Sequence, residues 1–164
     1  MSIEPTAKID ELLRSDIAPF MKTQSFRRKG RHFWREHGRV IDVLNLQKSQ
    51  WNDGREARFC INLGLVWPEV QAGIPGRFVS NPPSADNCTV RLRLGHLLTG
   101  KDYWWSVSDA TPVEQLGAEI VQALTEHALP WMEKGHDPKV SCDHLEKFNG
   151  KSPLIPIFKK LYLS

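Results

Sequence analysis

Apolar and polar positions follow two periods along this chain, one helical and one extended. Ile9, Leu12, Leu13, Ile17 and Phe20 recur at steps of three and four residues, the spacing of one buried helix face. Thr6 is the expected N-cap, and Pro19 is expected to kink or restart the helix, because proline cannot continue the backbone ladder. Strands are expected next. Segments 26–29 and 33–35 flank Gly30, and Gly38 separates the second from 40–50, which predicts hairpin turns. The clearest strand is 57–67, where Phe59, Ile61, Leu63, Leu65 and Trp67 alternate with Arg58, Cys60, Asn62 and Gly64. Asp53-Gly54 supplies the turn before it.

Residues 68–87 contain Pro68, Pro75, Pro82 and Pro83 with Gly73 and Gly76, and predict a long loop. Alternation resumes over 89–95, with Val90, Leu92 and Leu94 on one side and Arg91 and Arg93 on the other. A short strand over 103–107 follows. Thr111-Pro112-Val113-Glu114 reads as a capping box with proline at the first helical position. Val113, Leu116, Ile120, Leu124 and Ala128 mark that helix's buried stripe, with Pro130 expected to end or bend it and Gly135 to cap it. Residues 136–164 predict a tail of one or two short helices starting near Ser141 and Ser152. The fold class is α+β. The expected architecture is an antiparallel meander sheet of about five strands, because short connections pair neighbours. An N-terminal helix, a longer C-terminal helix and the short helical tail flank it.

Composition narrows the class. The chain has 164 residues, 40% of them hydrophobic and 25% charged, a balance that suits one packed domain over 1–164 and excludes disordered and fibrous chains. No apolar run approaches the roughly 18 residues of a membrane span, so no membrane role is expected. The N-terminus lacks the pattern of a secretory signal. Cys60, Cys88 and Cys142 are odd in number and widely spaced, so reduced thiols in a cytoplasm are expected. A net charge of +3 hides an asymmetry: 22–39 carries seven bases and one acid, whereas 101–149 carries nine acids and four bases.

Several of these segments taken in order are similar to a known family. They are Gly30 with Phe33-Trp34-Arg35, Asn45-Leu46-Gln47, the strand from Phe59 to Gly64, Cys88 with Arg91, Arg93 and Gly95, and Asp102 with Trp104-Trp105. This succession resembles a bacterial family, the domain of unknown function DUF4304, over about residues 8–134, leaving 135–164 as an appendage. The resemblance implies a fold and a bacterial source, and carries no established reaction or catalytic residue.

Two candidate surfaces follow from strand geometry, since adjacent side chains point to opposite faces. Phe33 and Trp34 cannot share a face, nor can Trp104 and Trp105. Opposite the apolar stripe lie Asn62, Arg91 and Arg93, with Asn45 and Gln47 sharing a parity of their own. Gln47, Asn62, Arg91, Arg93, Trp104 and Trp105 are therefore the candidate ligand-binding set, of a kind suited to carboxylate, phosphate or nucleobase groups. Solvated arginines lying over indole rings are the bland alternative. Arg27, Arg28, Lys29, Arg31, Trp34 and Arg35 form a second candidate, a basic patch for nucleic acid or an acidic partner; a charged edge hairpin gives the same composition. No Cys-x-x-Cys, His-Glu-x-x-His or Gly-x-Ser-x-Gly spacing is present, so no catalytic residue, metal ligand or cofactor is assigned. The expected function is a non-catalytic binding domain for a protein or anionic ligand. Nucleic-acid binding through 22–39 is the alternative, and an enzyme with a cysteine or metal site is the minority reading.

Overall fold

The computed structural model describes residues 4–164. Six strands form one antiparallel sheet: β1 (Arg27–Lys29), β2 (His32–His37), β3 (Val40–Lys48), β4 (Glu56–Val66), β5 (Val90–Arg93) and β6 (Trp105–Ser108). The first five lie side by side in chain order, the meander that short connections dictate. The last strand returns to β4. β5 pairs with Asn62–Leu65 and β6 with Glu56–Phe59, so the two occupy successive stretches of one edge. Between them the chain leaves the sheet as a short helix, α4 (Leu94–Thr99). Leu94 and Gly95 thus belong to a helix and not to the expected strand. Gly95 is where the excursion closes on itself, since a Cβ there would lie 2.8 Å from the Tyr103 carbonyl oxygen.

Helices cover one face of the sheet. The first is α1 (Pro5–Leu12), followed by a wide π turn over Leu13–Ile17 and by α2 (Ala18–Thr23). The second repeats that design: α5 (Val113–Ala123), a wide turn over Leu124–Ala128, and α6 (Leu129–Gly135). At Pro19 the helix restarts as expected, as α2 after the wide turn, and at Pro130 the second helix likewise continues as α6 and does not end. Each proline follows a wide turn whose last amide reaches back five residues, Ala18 to Leu13 and Leu129 to Leu124. The local widening absorbs the bond that proline cannot make.

Helix starts also differ from expectation. Glu4 occupies the first N-cap instead of Thr6, and no side chain bonds there. At the second, Pro112 is the N-cap, while the Thr111 hydroxyl is taken by the Ser108 amide at 2.9 Å. Gly135 does not cap; it lies inside α6, where its bare backbone packs on Leu65 of β4. The tail comprises α7 (Pro138–Phe148), capped by Asp137 and not Ser141, and α8 (Leu154–Phe158), whose start is held by Ser152. The 68–87 segment is mostly irregular but begins with α3 (Pro68–Gln71) and ends on a 3-10 turn over Ala85–Asn87.

The main core lies between this helical layer and the inner sheet face. Phe33, Leu44, Phe59, Ile61, Leu63 and Leu65 meet Ile9, Leu12, Ile17, Ile120, Leu124 and Met132 there. Leu145, Leu154 and Phe158 of the tail join the same cluster, and Phe158 meets the Trp67 ring edge-on at 5.4 Å. Ion pairing holds the layers in register. Asp42 of β3 is fully buried; its Oδ2 accepts from Arg35 Nε and Nη2 at 3.0 and 2.8 Å, and its Oδ1 lies 2.6 Å from His136 Nε2. Arg35 also donates to the Gln24 carbonyl at 2.9 Å, so one carboxylate links two strands, the end of α2 and the end of α6. No helix is long and apolar enough to cross a membrane among the described residues.

Asp42→Ala removes the shared acceptor and leaves a guanidinium without its counter-charge. Loss of about 3 kcal/mol of folding stability is expected, read from the urea midpoint at unchanged slope.

Candidate binding face

The outer sheet face carries the side chains that the alternation sends away from the core. The register aligns them in rows across the strands, about 4.8 Å apart. One row runs Lys29, His32, Asn45, Asn62, Arg93 from β1 to β5. The next runs Arg27, Trp34, Val43, Gly64, Arg91. A shorter third row pairs Gln47 with Cys60, and continuing the β6 register by one residue brings Trp104 opposite Cys60.

The face divides into a covered half and an open half. Val43, Val66 and Ala85 form a second, smaller apolar cluster, with Trp34, Ile41, Val79 and Cys88 packed against it. The 68–87 loop supplies the cover, and Gly64 permits it, because a Cβ there would collide with Cys88. Beyond the cover lies a cavity of about 370 Å³ lined by Gln47, Asn62, Asp86, Arg91 and Arg93. A second hollow of about 430 Å³ continues past Gln47 to Trp104, Arg58 and the exposed Trp51.

Inside the open half, Asn62 Nδ2 donates to Gln47 Oε1 at 2.9 Å. That bond leaves the Asn62 carbonyl oxygen and the Gln47 amide hydrogens for a ligand. Arg93 donates to Asp102 Oδ2 at 2.6 Å, and its guanidinium lies 5.2 Å from the centre of the Trp104 ring. Trp104 Nε1 donates to the same carboxylate at 3.4 Å. The Arg93 bond holds the Asp102 carboxyl below its ordinary range and raises the Arg93 guanidinium. Arg91 makes no side-chain hydrogen bond or ion pair among the described residues. Two buried polar atoms of the central row, His32 Nδ1 and Asn45 Oδ1, have no partner in the protein among the described residues. Cys60 lies in the floor, its sulfur 3.8 Å from Gln47 Oε1. Burial pushes its thiol up to about 11, against the opposing pull of Arg93.

Five of the six side chains expected to bind a ligand therefore meet on this face. Trp105 does not. It is 3% exposed, points to the inner face opposite Phe59 and stacks on that ring at 5.6 Å. The basic patch is also divided. Arg35 is bound to buried Asp42, Arg28 folds back onto its own turn at the Gly30 carbonyl, and Trp34 packs under the loop. Arg27 and Lys29 remain exposed on the outer face, and Arg31 is exposed at the turn. Asp102 and Asp86 escape the sequence reading. Asp102 has the parity of Trp104, two residues on, which is a usable signal; Asp86 reaches the site on an irregular loop, which no period announces. Among the described residues, no three His, Cys, Asp or Glu side chains converge as a metal site would need.

The family model for the domain of unknown function DUF4304 matches residues 17–134, more than half of the chain. The chain belongs to that family. Comparison with curated proteins and with solved structures returns no match. The matched region holds the whole sheet and every residue of the open half, while α1 and the tail helices lie outside it.

Cys60 and Cys88 test the packing of this face. Burial pushes the Cys88 thiol up to about 12, so both groups remain protonated near neutral pH. Iodoacetamide at pH 7.5, a setting roughly one unit below an ordinary thiol's value, is expected to leave both unmodified in the folded protein and to alkylate them in urea. Rapid native-state alkylation of Cys60 refutes the burial of the floor.

Proposed function

We propose that this DUF4304 member is a non-catalytic binding domain whose open outer face holds a small anionic ligand bearing a planar group. The observation that carries this reading is the convergence of Asn62, Gln47, Arg91 and Arg93 on one cavity, with the Trp104 indole beside it. The side chains there offer mainly donors: a guanidinium with no partner among the described residues, amide hydrogens, and a second guanidinium stacked on an indole. Guanidinium groups suit carboxylate or phosphate, and the indole suits a flat ring. Cys60, the reactive side chain in the floor, is held as the neutral thiol, which favours binding over nucleophilic chemistry. Three free cysteines accord with a reducing cytoplasm, and the family resemblance with a bacterial source. The tail's share in the main core supports treating 1–164 as one domain.

Titration of the intrinsic tryptophan fluorescence with citrate and with adenosine monophosphate tests this reading. Binding of at least one probe is expected, weakened about tenfold or more by Arg93→Ala through loss of a charge-assisted contact. No response from either probe, or equal binding by the variant, counts against it.

Nucleic acid is the second reading, favoured by one observation: Lys29 and Arg27 lie on the same rows as Arg93 and Arg91, at the opposite end. A backbone crossing the face would meet cations at both edges. An Arg27→Ala, Lys29→Ala double variant is then expected to lower retention of single-stranded oligonucleotide and to flatten its salt dependence. Unchanged retention eliminates this alternative.

A further inference from the structure

We propose that the cleft on the far side of Arg91 is a second site, specific for an oxyanion of the phosphate class. It has a volume of about 410 Å³ and is enclosed by the 77–89 segment, β5, α7 and the start of α8. Arg77, Arg91, His144, Asn149, Thr89 and Ser152 face it. Its composition is unlike that of the outer-face cavity, because the hydroxyl groups of Thr89 and Ser152 line it.

Hydrogen-bond donors outnumber acceptors in this cleft. Arg77 spends one N–H on Gln71 Oε1 at 3.1 Å and keeps the rest of its fork. Arg91 has no side-chain partner among the described residues. The Thr89 and Ser152 oxygens accept from the backbone amides of Trp67 and Leu154, at 2.8 and 3.2 Å, which leaves both hydroxyl protons for another acceptor. Asn149 adds an exposed amide at the end of α7. His144 Nε2 lies 3.2 Å from the Arg91 carbonyl oxygen, bracing the strand that carries the guanidinium. Against these donors stands one carboxylate, Asp86, and the Cys88 thiol in the wall is neutral.

Two guanidinium forks, two hydroxyls and an amide exceed what the two oxygens of a carboxylate can accept, but match the oxygens of a tetrahedral phosphate. The phosphate is either free or the monoester group of a larger molecule. Arg91 and Asp86 line both cavities, so a monoester whose body lies over Asn62 and Trp104 engages the two together. Free phosphate engages the cleft alone. The proposal stands independently of the outer-face reading, because Arg77 and Asn149 line only the cleft and Arg93 only the outer cavity.

The test is titration of the full chain with inorganic phosphate and with adenosine monophosphate, following backbone amide resonances of residues 86–91 and 144–149. Inorganic phosphate is expected to shift both sets. Arg77→Ala is expected to weaken it about tenfold, Arg93→Ala to leave it unchanged, and Asp86→Asn to tighten it by removing the opposing charge. Asn149→Asp, which adds a carboxylate without touching the 77–89 segment, is expected to abolish binding and serves if Arg77→Ala fails to fold. Adenosine monophosphate binding that is weakened by both Arg77→Ala and Arg93→Ala identifies the monoester as the ligand form; sensitivity to Arg77→Ala alone identifies free phosphate. The proposal is overturned if inorganic phosphate moves neither set of resonances, if Asn149→Asp binds it as the wild type does, or if Asp86→Asn weakens it.

Discussion

The alternation of β4 is the constraint on which the rest depends. Its eleven residues pair with β3 on one side and with β5 and β6 on the other. Extended backbone sends successive side chains to opposite faces, so Phe59, Ile61, Leu63 and Leu65 must enter the core once any one of them does. Cys60, Asn62 and Gly64 are then committed to the outer face. Each neighbour inherits the same division through the register, which is why Asn45 and Gln47, Arg91 and Arg93, and Trp34 fall in with Asn62. A slip of β4 by one residue would bury Arg58 and Asn62 and expose Phe59, Ile61, Leu63 and Leu65. The core thereby specifies the outer face, although no outer-face contact is needed to fold the sheet.

That coupling explains what was legible in the residues. The strands and the outer-face placement of five of the six expected ligand-binding side chains follow from counting by twos. Short connections give the order of the first five strands, although the last returns to β4. Phe33 and Trp34 part as the count requires, and so do Trp104 and Trp105, although parity alone does not say which member goes inward. The register does, by pairing Trp105 with Phe59. Helix ends were less legible because their signals are short-range and compete with tertiary bonds. Thr111 has the chemistry of a cap, but the amide of Ser108 takes its hydroxyl. Pro19 and Pro130 carry the breaker signal, but packing of the long helices favours a wide turn over a break. Arg35 looked like one more surface cation; only the three-dimensional arrangement brings a buried acid, Asp42, and His136, some hundred residues along the chain, to the same point.

The same register sorts the cations by what they do. Arg35 and Lys8 are structural: the first neutralises Asp42, and the second donates to the carbonyls of Ser108, Asp109 and Thr111 beneath the turn into α5. Arg93 is intermediate. Its charge is offset by Asp102, and the pair is more than a third exposed, so solvent screening leaves it little net stabilising value. The same guanidinium lies over the Trp104 ring at the edge of the cavity. Among the described residues the Arg91 side chain has neither a structural nor a positioning partner. An isolated cation between two donor-rich hollows is the arrangement from which ligand selectivity can arise.

The interruption between β5 and β6 shapes the open half of the outer face. An unbroken edge strand would place Gly95, two residues past Arg93, opposite Cys60, where Trp104 now lies. Instead the chain detours through α4, and the contact of Gly95, near the start of that helix, with the Tyr103 backbone closes the detour. It re-enters at Trp105 with Asp102 and Trp104 held beside Arg93. Because Gly95 has no Cβ, the two ends of the detour lie close enough for this. The residues through which the family likeness was first drawn, Arg91, Arg93, Gly95, Asp102 and the two tryptophans, are then one structural device. The arginines mark the strand before the detour, the glycine closes it, and the aspartate and Trp104 form the wall it creates. Their spacing along this chain is the imprint of that detour.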